Sequence, residues 1–217
     1  TLRHGYFDDI NMTADFYTGH VVLERMGAHK ITDLDWASAC VERTPAGVIV
    51  RGEVAMPIGP VRKIIQVEND SPRLHLEYDF DWTEVPAGSL RLGHVTLVPE
   101  GYDRDTLYFA SHNGGVEMER FELSGHQVDH GAAVSLMVTA STCLGMTGGV
   151  FEFGDASRSV RIGVDRDSAA VVGLVTYREV GNSFFCRLSL SAFENDETRK
   201  FDEGQRLRSV GLRIEFE

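Results

Sequence analysis

The run Arg73-Leu74-His75-Leu76-Glu77-Tyr78-Asp79-Phe80-Asp81-Trp82 decides the fold class. Successive side chains of an extended strand point to opposite faces, so a period of two separates a buried face from a wet one. Leu74, Leu76, Tyr78, Phe80 and Trp82 share one face, and Arg73, His75, Glu77, Asp79 and Asp81 share the other. This is a strand with one side in a core. Val48, Val50, Val54 and Met56 alternate with Ile49, Arg51 and Glu53 in the same way. Near the C-terminus Arg208, Val210, Leu212, Ile214 and Phe216 alternate with Leu207, Ser209, Arg213 and Glu215.

Further strands are expected at His20 to Arg25, Arg62 to Glu68, Leu90 to Val98, Thr106 to Ala110, Val116 to Leu123, Val134 to Thr139, Ser159 to Val164, Ala169 to Tyr177 and Ser183 to Ser191. Turn chemistry separates them. Pro45-Ala46-Gly47, Gly59-Pro60, Asn69-Asp70-Ser71-Pro72, Pro86-Ala87-Gly88, Asn113-Gly114-Gly115 and Gly181-Asn182 supply the preset or positive φ values that chain reversals need. Short helical turns are expected only around Asp8 to Phe16 and Leu34 to Ser38. Twelve or more strands without a long helix imply an all-β protein, a large antiparallel β-sandwich, and exceed the roughly seven to nine strands of an immunoglobulin-type domain. The 217 residues fit one such domain, spanning 1–217.

Composition narrows the partners. With 33 acidic against 21 basic residues the formal charge is −12, which repels a phosphate backbone, so neither nucleic acid nor an anionic membrane is expected. Cys40, Cys143 and Cys186 are widely spaced and odd in number, which suits reduced, mostly buried thiols rather than a disulfide framework. No signal-peptide pattern and no long apolar run is present, so a cytoplasmic protein is expected. The chain opens at Thr1, and Leu2 to Asp15 read as the interior of a longer polypeptide.

Three segments carry chemistry. His4 to His20 crowds Asp8, Asp9, Asp15, His4, His20 and four aromatic residues into a short stretch. Aromatic faces stack on sugar rings while carboxylates take hydroxyls, so Asp15 and His20 are candidate saccharide ligands; a surface lead-in strand or an interdomain contact is the alternative. The loop Ser111-His112-Asn113-Gly114-Gly115 offers an imidazole and an amide after a strand, or is simply a hairpin turn. Arg187 alternates with apolar residues in Arg187-Leu188-Ser189-Leu190-Ser191, and Glu194 lies where that strand is expected to run into a charged turn. No nucleophile elbow, zinc signature or phosphate loop occurs, so no metal or other cofactor is expected. Leu144-Gly145-Met146-Thr147-Gly148-Gly149 lacks the lysine a phosphate loop requires.

Taken together, Gly19-His20-Val21-Val22 with His29-Lys30-Ile31-Thr32-Asp33, Ser111-His112-Asn113-Gly114-Gly115, and Arg187-Leu188-Ser189-Leu190-Ser191 with Glu194-Asn195-Asp196-Glu197-Thr198 resemble the C-terminal β domain of glycoside hydrolase family 57-like proteins. That domain is similar in fold to the galactose mutarotase-like supersandwich. The resemblance adds Lys30 and Asp33 to the candidate saccharide ligands Asp15, His20, His112, Asn113, Arg187 and Glu194. It implies a catalytic N-terminal β/α barrel as the domain's partner within a parent chain and no catalytic residue here. Mutarotases of the related fold use a histidine acid and a glutamate base, for which His20, His75, His94 and His112, with Glu77 or Glu194, qualify by residue type. The expected function is an accessory saccharide-binding or structural domain of a glycoside hydrolase. A stand-alone sugar epimerase and a purely structural module are the alternatives.

Overall fold

In the computed structural model, residues 19–25, 27–82, 86–134, 140, 142–195 and 209–216 are described. Among them run fifteen strands: β1 (Val22–Glu24), β2 (Ile31–Thr32), β3 (Ser38–Thr44), β4 (Gly47–Met56), β5 (Gly59–Glu68), β6 (Arg73–Phe80), β7 (Gly88–Thr96), β8 (Tyr108–Ser111), β9 (Glu119–Glu122), β10 (Val128–Asp129), β11 (Val150–Gly154), β12 (Ser159–Val164), β13 (Val172–Val180), β14 (Ser183–Asn195) and β15 (Val210–Phe216). They form a six-stranded sheet, β10-β13-β14-β7-β1-β2, and a nine-stranded sheet, β3-β4-β5-β6-β15-β12-β11-β8-β9, in which every pairing is antiparallel.

The strand read first, β6, lies in the nine-stranded sheet and buries Leu76, Tyr78 and Phe80, with Trp82 just beyond its end. It meets β15, whose Val210, Leu212 and Ile214 take the same inner face through the pairs Val210↔Tyr78, Leu212↔Leu76 and Ile214↔Leu74. The six-stranded sheet answers with Leu90 and Leu92 from β7, Val175 and Tyr177 from β13, and Phe184, Cys186, Leu188 and Leu190 from β14. Both sheets therefore give every second side chain to a shared hydrophobic core, the arrangement by which two pleated surfaces leave water together.

Several expectations are corrected. Leu34 to Ala37 is irregular rather than helical, with a bend at Asp35, and Ser38 opens β3, because Asp35 donates its amide to the Asp33 carbonyl and accepts the Trp36 amide on its own carboxylate, which draws the backbone groups out of a helical ladder. Among the described residues the helical turns are 3₁₀ turns at Pro99–Gly101 and Arg104–Thr106. The strand expected from Val116 begins only at Glu119, and Val116 is exposed. The strands β2, β3, β10 and β11 were not anticipated. Cys186 is buried, but Cys40 and Cys143 are exposed, contrary to the expectation for the three thiols. The expected turn at Asp8 to Phe16 and most of the strand from Val134 to Thr139 fall outside the described residues. Among the described residues no helix is long and apolar enough to cross a membrane.

Candidate functional site

The face of the six-stranded sheet turned away from the core is polar and yet largely excluded from water. On β14 the core-facing residues are Phe184, Cys186, Leu188 and Leu190, which turns Phe185, Arg187, Ser189 and Ser191 to the other side. On β7 Leu90 and Leu92 face the core while Ser89 and Arg91 face out, and on β1 Leu23 faces in while Val22 and Glu24 face out. His20, Ser89, His94, Arg187 and Ser191 are all buried, the most exposed of them at 6%.

Two β-bulges complete this face. Between the pairs Leu188↔Val95 and Leu190↔Leu92, β14 contributes Ser189 alone while β7 contributes both Gly93 and His94. A bulge sets two residues against one and re-aims the side chain at the insertion. Unbroken alternation after Leu90 and Leu92 would send His94 into the core. Instead Gly93 faces the core with φ +83, close to Leu190 and Leu212, and His94 turns outward at φ +40. That backbone conformation is strained for a residue bearing a Cβ, and such strain clusters at functional positions. A second register shift, between the pairs Ser191↔Arg91 and Phe193↔Leu90, inserts Ala192 and brings Glu194 outward opposite Ser89.

The histidines stack on one another. The rings of His20 and His94 have centroids 4.0 Å apart and planes 11° from parallel. His94 Nδ1 lies 3.2 Å from the His20 carbonyl oxygen, which can only accept, so Nδ1 carries the proton and the neutral ring keeps its lone pair on Nε2. Burial, then the neighbouring His20 and the charges of Arg187 and Arg91, hold the His94 imidazole well below the usual histidine range, against the pull of the carbonyl bond. It is neutral at pH 7. Arg187 stacks over the Phe185 ring at 4.9 Å and donates from Nε to Thr96 Oγ1 at 2.9 Å.

Towards the other end of the same face, Glu194 Oε1 accepts from the hydroxyls of Ser89 and Ser191, each at 2.7 Å. Arg91 donates to Ser89 Oγ and to the carbonyl of Gly131 in the chain leaving β10, which brings that segment across the sheet. Glu24 lies 3.9 Å from Arg91 and pairs with Lys30 at 2.6 Å. Glu194 is exposed, and so is two-thirds of the Lys30 side chain, so this end reaches solvent while the imidazole end does not. From Ser89 to Thr96 the track measures about 20 Å at the ordinary strand rise.

Of the candidates read from sequence, His20, Arg187, Glu194 and Lys30 share this face. Asp33 sits beside it in a bracing role: it is buried, accepts the Val21 amide at 2.9 Å and pairs with Lys63. His112 and Asn113 lie elsewhere, after β8 of the nine-stranded sheet. Asn113 accepts the Gly145 amide, Thr147 donates its amide and its hydroxyl to the His112 carbonyl, and a Cβ at Gly148 would fall 2.6 Å from the His112 ring. That loop is tied to a second loop. Asp15 lies outside the described residues. Glu77 is on the outer side of the other sheet and so shares no face with His20.

Arg91, Ser89, Ser191 and Thr96 were not among the sequence candidates, and His94 was named only by residue type. The signal that finds His94 is Gly93 inside a strand pattern, since an interior glycine marks a bulge. Among the described residues no group of three or more His, Cys, Asp or Glu is placed to hold a metal ion. Two open clefts lie on the nine-stranded sheet: one of about 490 Å³ between His75, Glu77, Asp165 and Arg213 mixes charged and apolar lining, and one of about 500 Å³ between Arg51, Arg62 and Asp79 also exposes the apolar surface of Ala39, Cys40 and Ile64.

No family model and no curated protein matches this sequence. Solved structures do. The alpha-N-acetylgalactosaminidase NagBb from Bifidobacterium bifidum, in its GalNAc complex, superposes with a TM-score of 0.56 at 9% identity, over 90% of this chain and 30% of that one. Its ligand-free form gives 0.53 at 10% identity, over 91% and 32%. An Escherichia coli K12 protein named "putative aldose 1-epimerase" gives 0.50 at 10% identity, over 85% and 69%. The chain thus has the galactose mutarotase-like sandwich fold, and it spans less than a third of the galactosaminidase.

Proposed function

We propose that this chain is a saccharide-binding domain of a carbohydrate-active enzyme, and that sugar is held on the outer face of its six-stranded sheet between the His20 and His94 pair and Glu194. The observation that carries the reading is the chemistry of that face. An outer sheet face ordinarily meets water. This one sets two arginines, two imidazoles, hydroxyls and a carboxylate in a row and holds most of them away from solvent. Convergent polar groups beside an aromatic ring are what a neutral, hydroxyl-rich ligand requires, and Phe185 beneath Arg187 supplies the ring. The similarity to a galactosaminidase and to an aldose epimerase by title points the same way.

Within that reading we place the chain as an accessory domain whose catalytic partner lies elsewhere in a longer polypeptide, as the glycoside hydrolase family 57-like resemblance also implies. Binding is favoured over turnover by the spacing of the groups. Proton exchange at a sugar carbon or ring oxygen needs the acid and the base within hydrogen-bond reach of one substrate. Glu194 stands opposite Ser89, five residues along β7 from His94, and its Oε1 is already engaged by two hydroxyls. The epimerase alternative draws on the strained, neutral His94.

One experiment separates these readings. Titration of isotope-labelled protein with GalNAc, galactose and glucose oligomers, followed by NMR, is expected to shift the His20 and His94 ring signals and the Ser89 and Ser191 amides. A His112→Ala variant should bind with unchanged affinity. Signals that move only around His112, or nowhere at millimolar sugar, would defeat the proposed site. Polarimetry on fresh α-galactose in the same samples should show no acceleration over buffer, and acceleration abolished by His94→Gln would move the assignment to the epimerase.

A further inference from the structure

The bulge at Gly93 and His94 costs a ladder hydrogen bond and a strained φ, so something must hold it in place. The holding group comes from the opposite sheet. Tyr78, on the inner face of β6, is fully buried, and its hydroxyl accepts the Gly93 amide at 3.1 Å and donates to the Gly19 carbonyl at 3.0 Å. Gly19 in turn donates its own amide to the Gly93 carbonyl. The backbone immediately before His94 and the backbone immediately before His20 are thereby joined through one phenol oxygen. Lys63 reinforces the joint from β5: its ammonium donates to the same Gly19 carbonyl at 2.6 Å, lies 5.5 Å from the Tyr78 ring centroid and pairs with Asp33, whose carboxylate accepts the Val21 amide.

We propose that Tyr78 is a positioning residue for the imidazole pair: by bridging Gly93 and Gly19 across the core, its hydroxyl fixes the bulge that turns His94 onto His20. The inference concerns the free protein and holds whatever the outer face binds. Packing alone does not account for the arrangement. A phenylalanine would fill the core equally well, whereas the hydroxyl satisfies the Gly93 amide of the bulge and shares the Gly19 carbonyl with Lys63. Burial pushes the Tyr78 phenol upward, so it keeps the proton it donates. The groups facing His94 are His20, Arg187 and Arg91, and Tyr78 faces Asp33 and Lys63; none of them replaces the phenol as acceptor for the Gly93 amide.

Tyr78→Phe tests this, with Tyr177→Phe as its control, because the Tyr177 hydroxyl is also buried but has no hydrogen-bond partner among the described residues. Nitrogen-15 spectra of the imidazoles in wild type should show His94 neutral with the proton on Nδ1, unchanged through the ordinary histidine range. In Tyr78→Phe the Nδ1 signature should be lost and the His94 midpoint should rise measurably towards the ordinary histidine value near 6.5. In Tyr177→Phe neither should change. If Tyr78→Phe is less stable but its His94 spectrum and titration match wild type, the hydroxyl is only a stabilising group and the proposal fails. Should the variant not fold, hydrogen exchange on wild-type protein decides: the Gly93 amide is expected among the slowest of the sheet, and exchange as fast as that of the exposed Gly114 would overturn the bridge.

Discussion

The two outer faces of this sandwich carry similar residue types and use them in opposite ways. On the nine-stranded sheet charged and polar side chains form cross-strand pairs in water: Glu42 with Arg51 at 2.8 Å, Glu53 with Arg62 at 2.7 Å, Glu68 with the His75 ring at 2.9 Å and Arg73 with Glu215 at 2.8 Å. Most of these side chains are about half exposed, and each pair joins neighbours on adjacent strands. On the six-stranded sheet Arg187, His94 and His20 are buried, and their bonds run to backbone carbonyls, hydroxyls and ring faces. The first face needs only alternation of residues. The second needs two bulges, a strained histidine and a brace through the core. Among the described residues the second face holds its side chains in buried bonds and ring contacts, the kind of support the proposed saccharide site requires.

The sharpest way to break the comparison is to remove one arginine from each face. Arg187→Ala deletes a buried charge together with its bond to Thr96 and its contact with Phe185, and a loss of about 3 kcal/mol is expected in urea unfolding. A loss below about 1 kcal/mol would mean that the face is solvated like its counterpart and that Arg187 is merely covered.

A smaller effect with a definite sign comes from pH. The folded-state pKa of His94 lies well below the unfolded value near 6.5, so the unfolded chain binds the extra proton first. The stability that a neutral His94 contributes is therefore complete above about pH 6.5 and is lost as pH falls from there towards the folded pKa, at up to ~1.4 kcal/mol per unit. His130, also lowered by burial although Asp129 opposes it, adds to the slope in the same sense. Denaturation series between about pH 7 and 5 should show this decline, and His94→Gln should flatten it. Glu68, held down by its bond to His75, titrates at lower pH and does not contribute in this window. An unchanged slope in His94→Gln would place the acid sensitivity elsewhere.

How much of this was legible depends on whether alternation survives. Along β6 and β15 it does, and Leu76, Tyr78, Phe80, Val210, Leu212 and Ile214 could be assigned to the core from sequence alone. The supersandwich followed from such runs and from their turns. Along β7 and β14 alternation breaks at Gly93-His94 and at Ala192. Read without those breaks, His94 points inward and Glu194 falls in a turn beyond the strand, so His94 is picked out only by residue type and Glu194 is assigned to the wrong surroundings. Arg187, upstream of the second break, could be placed by parity. The brace was beyond reach for a different reason: Tyr78 is separated by 59 residues from Gly19 and by 15 from Gly93, and no local pattern says that a core phenol will spend its hydroxyl on two backbone groups of the facing sheet. His112 and Asn113 attracted attention by composition, and their bonds to the Gly145 to Gly149 loop show a pair of loops holding each other.

The smallest effect concerns the exposed face. Arg62 touches three carboxylates, Glu53 at 2.7 Å, Asp79 at 3.3 Å and Asp81 at 3.7 Å, and all four side chains are roughly half exposed or more. In water such pairs gain little, because solvent screens the attraction and holding long side chains in one geometry costs entropy. Arg62→Ala should therefore leave the urea midpoint nearly unchanged at moderate salt. It also leaves three acidic groups facing one another on a chain whose formal charge is already −12, so a slight loss is expected at low ionic strength. That loss should vanish near 1 M salt, where the screening length falls to about 3 Å. The Arg187→Ala loss should persist there, because a buried bond is little affected by mobile ions. If both losses faded alike with salt, the two faces would be held by the same solvated electrostatics, and the buried track would lose its distinction as a place where side chains are set in advance for a ligand.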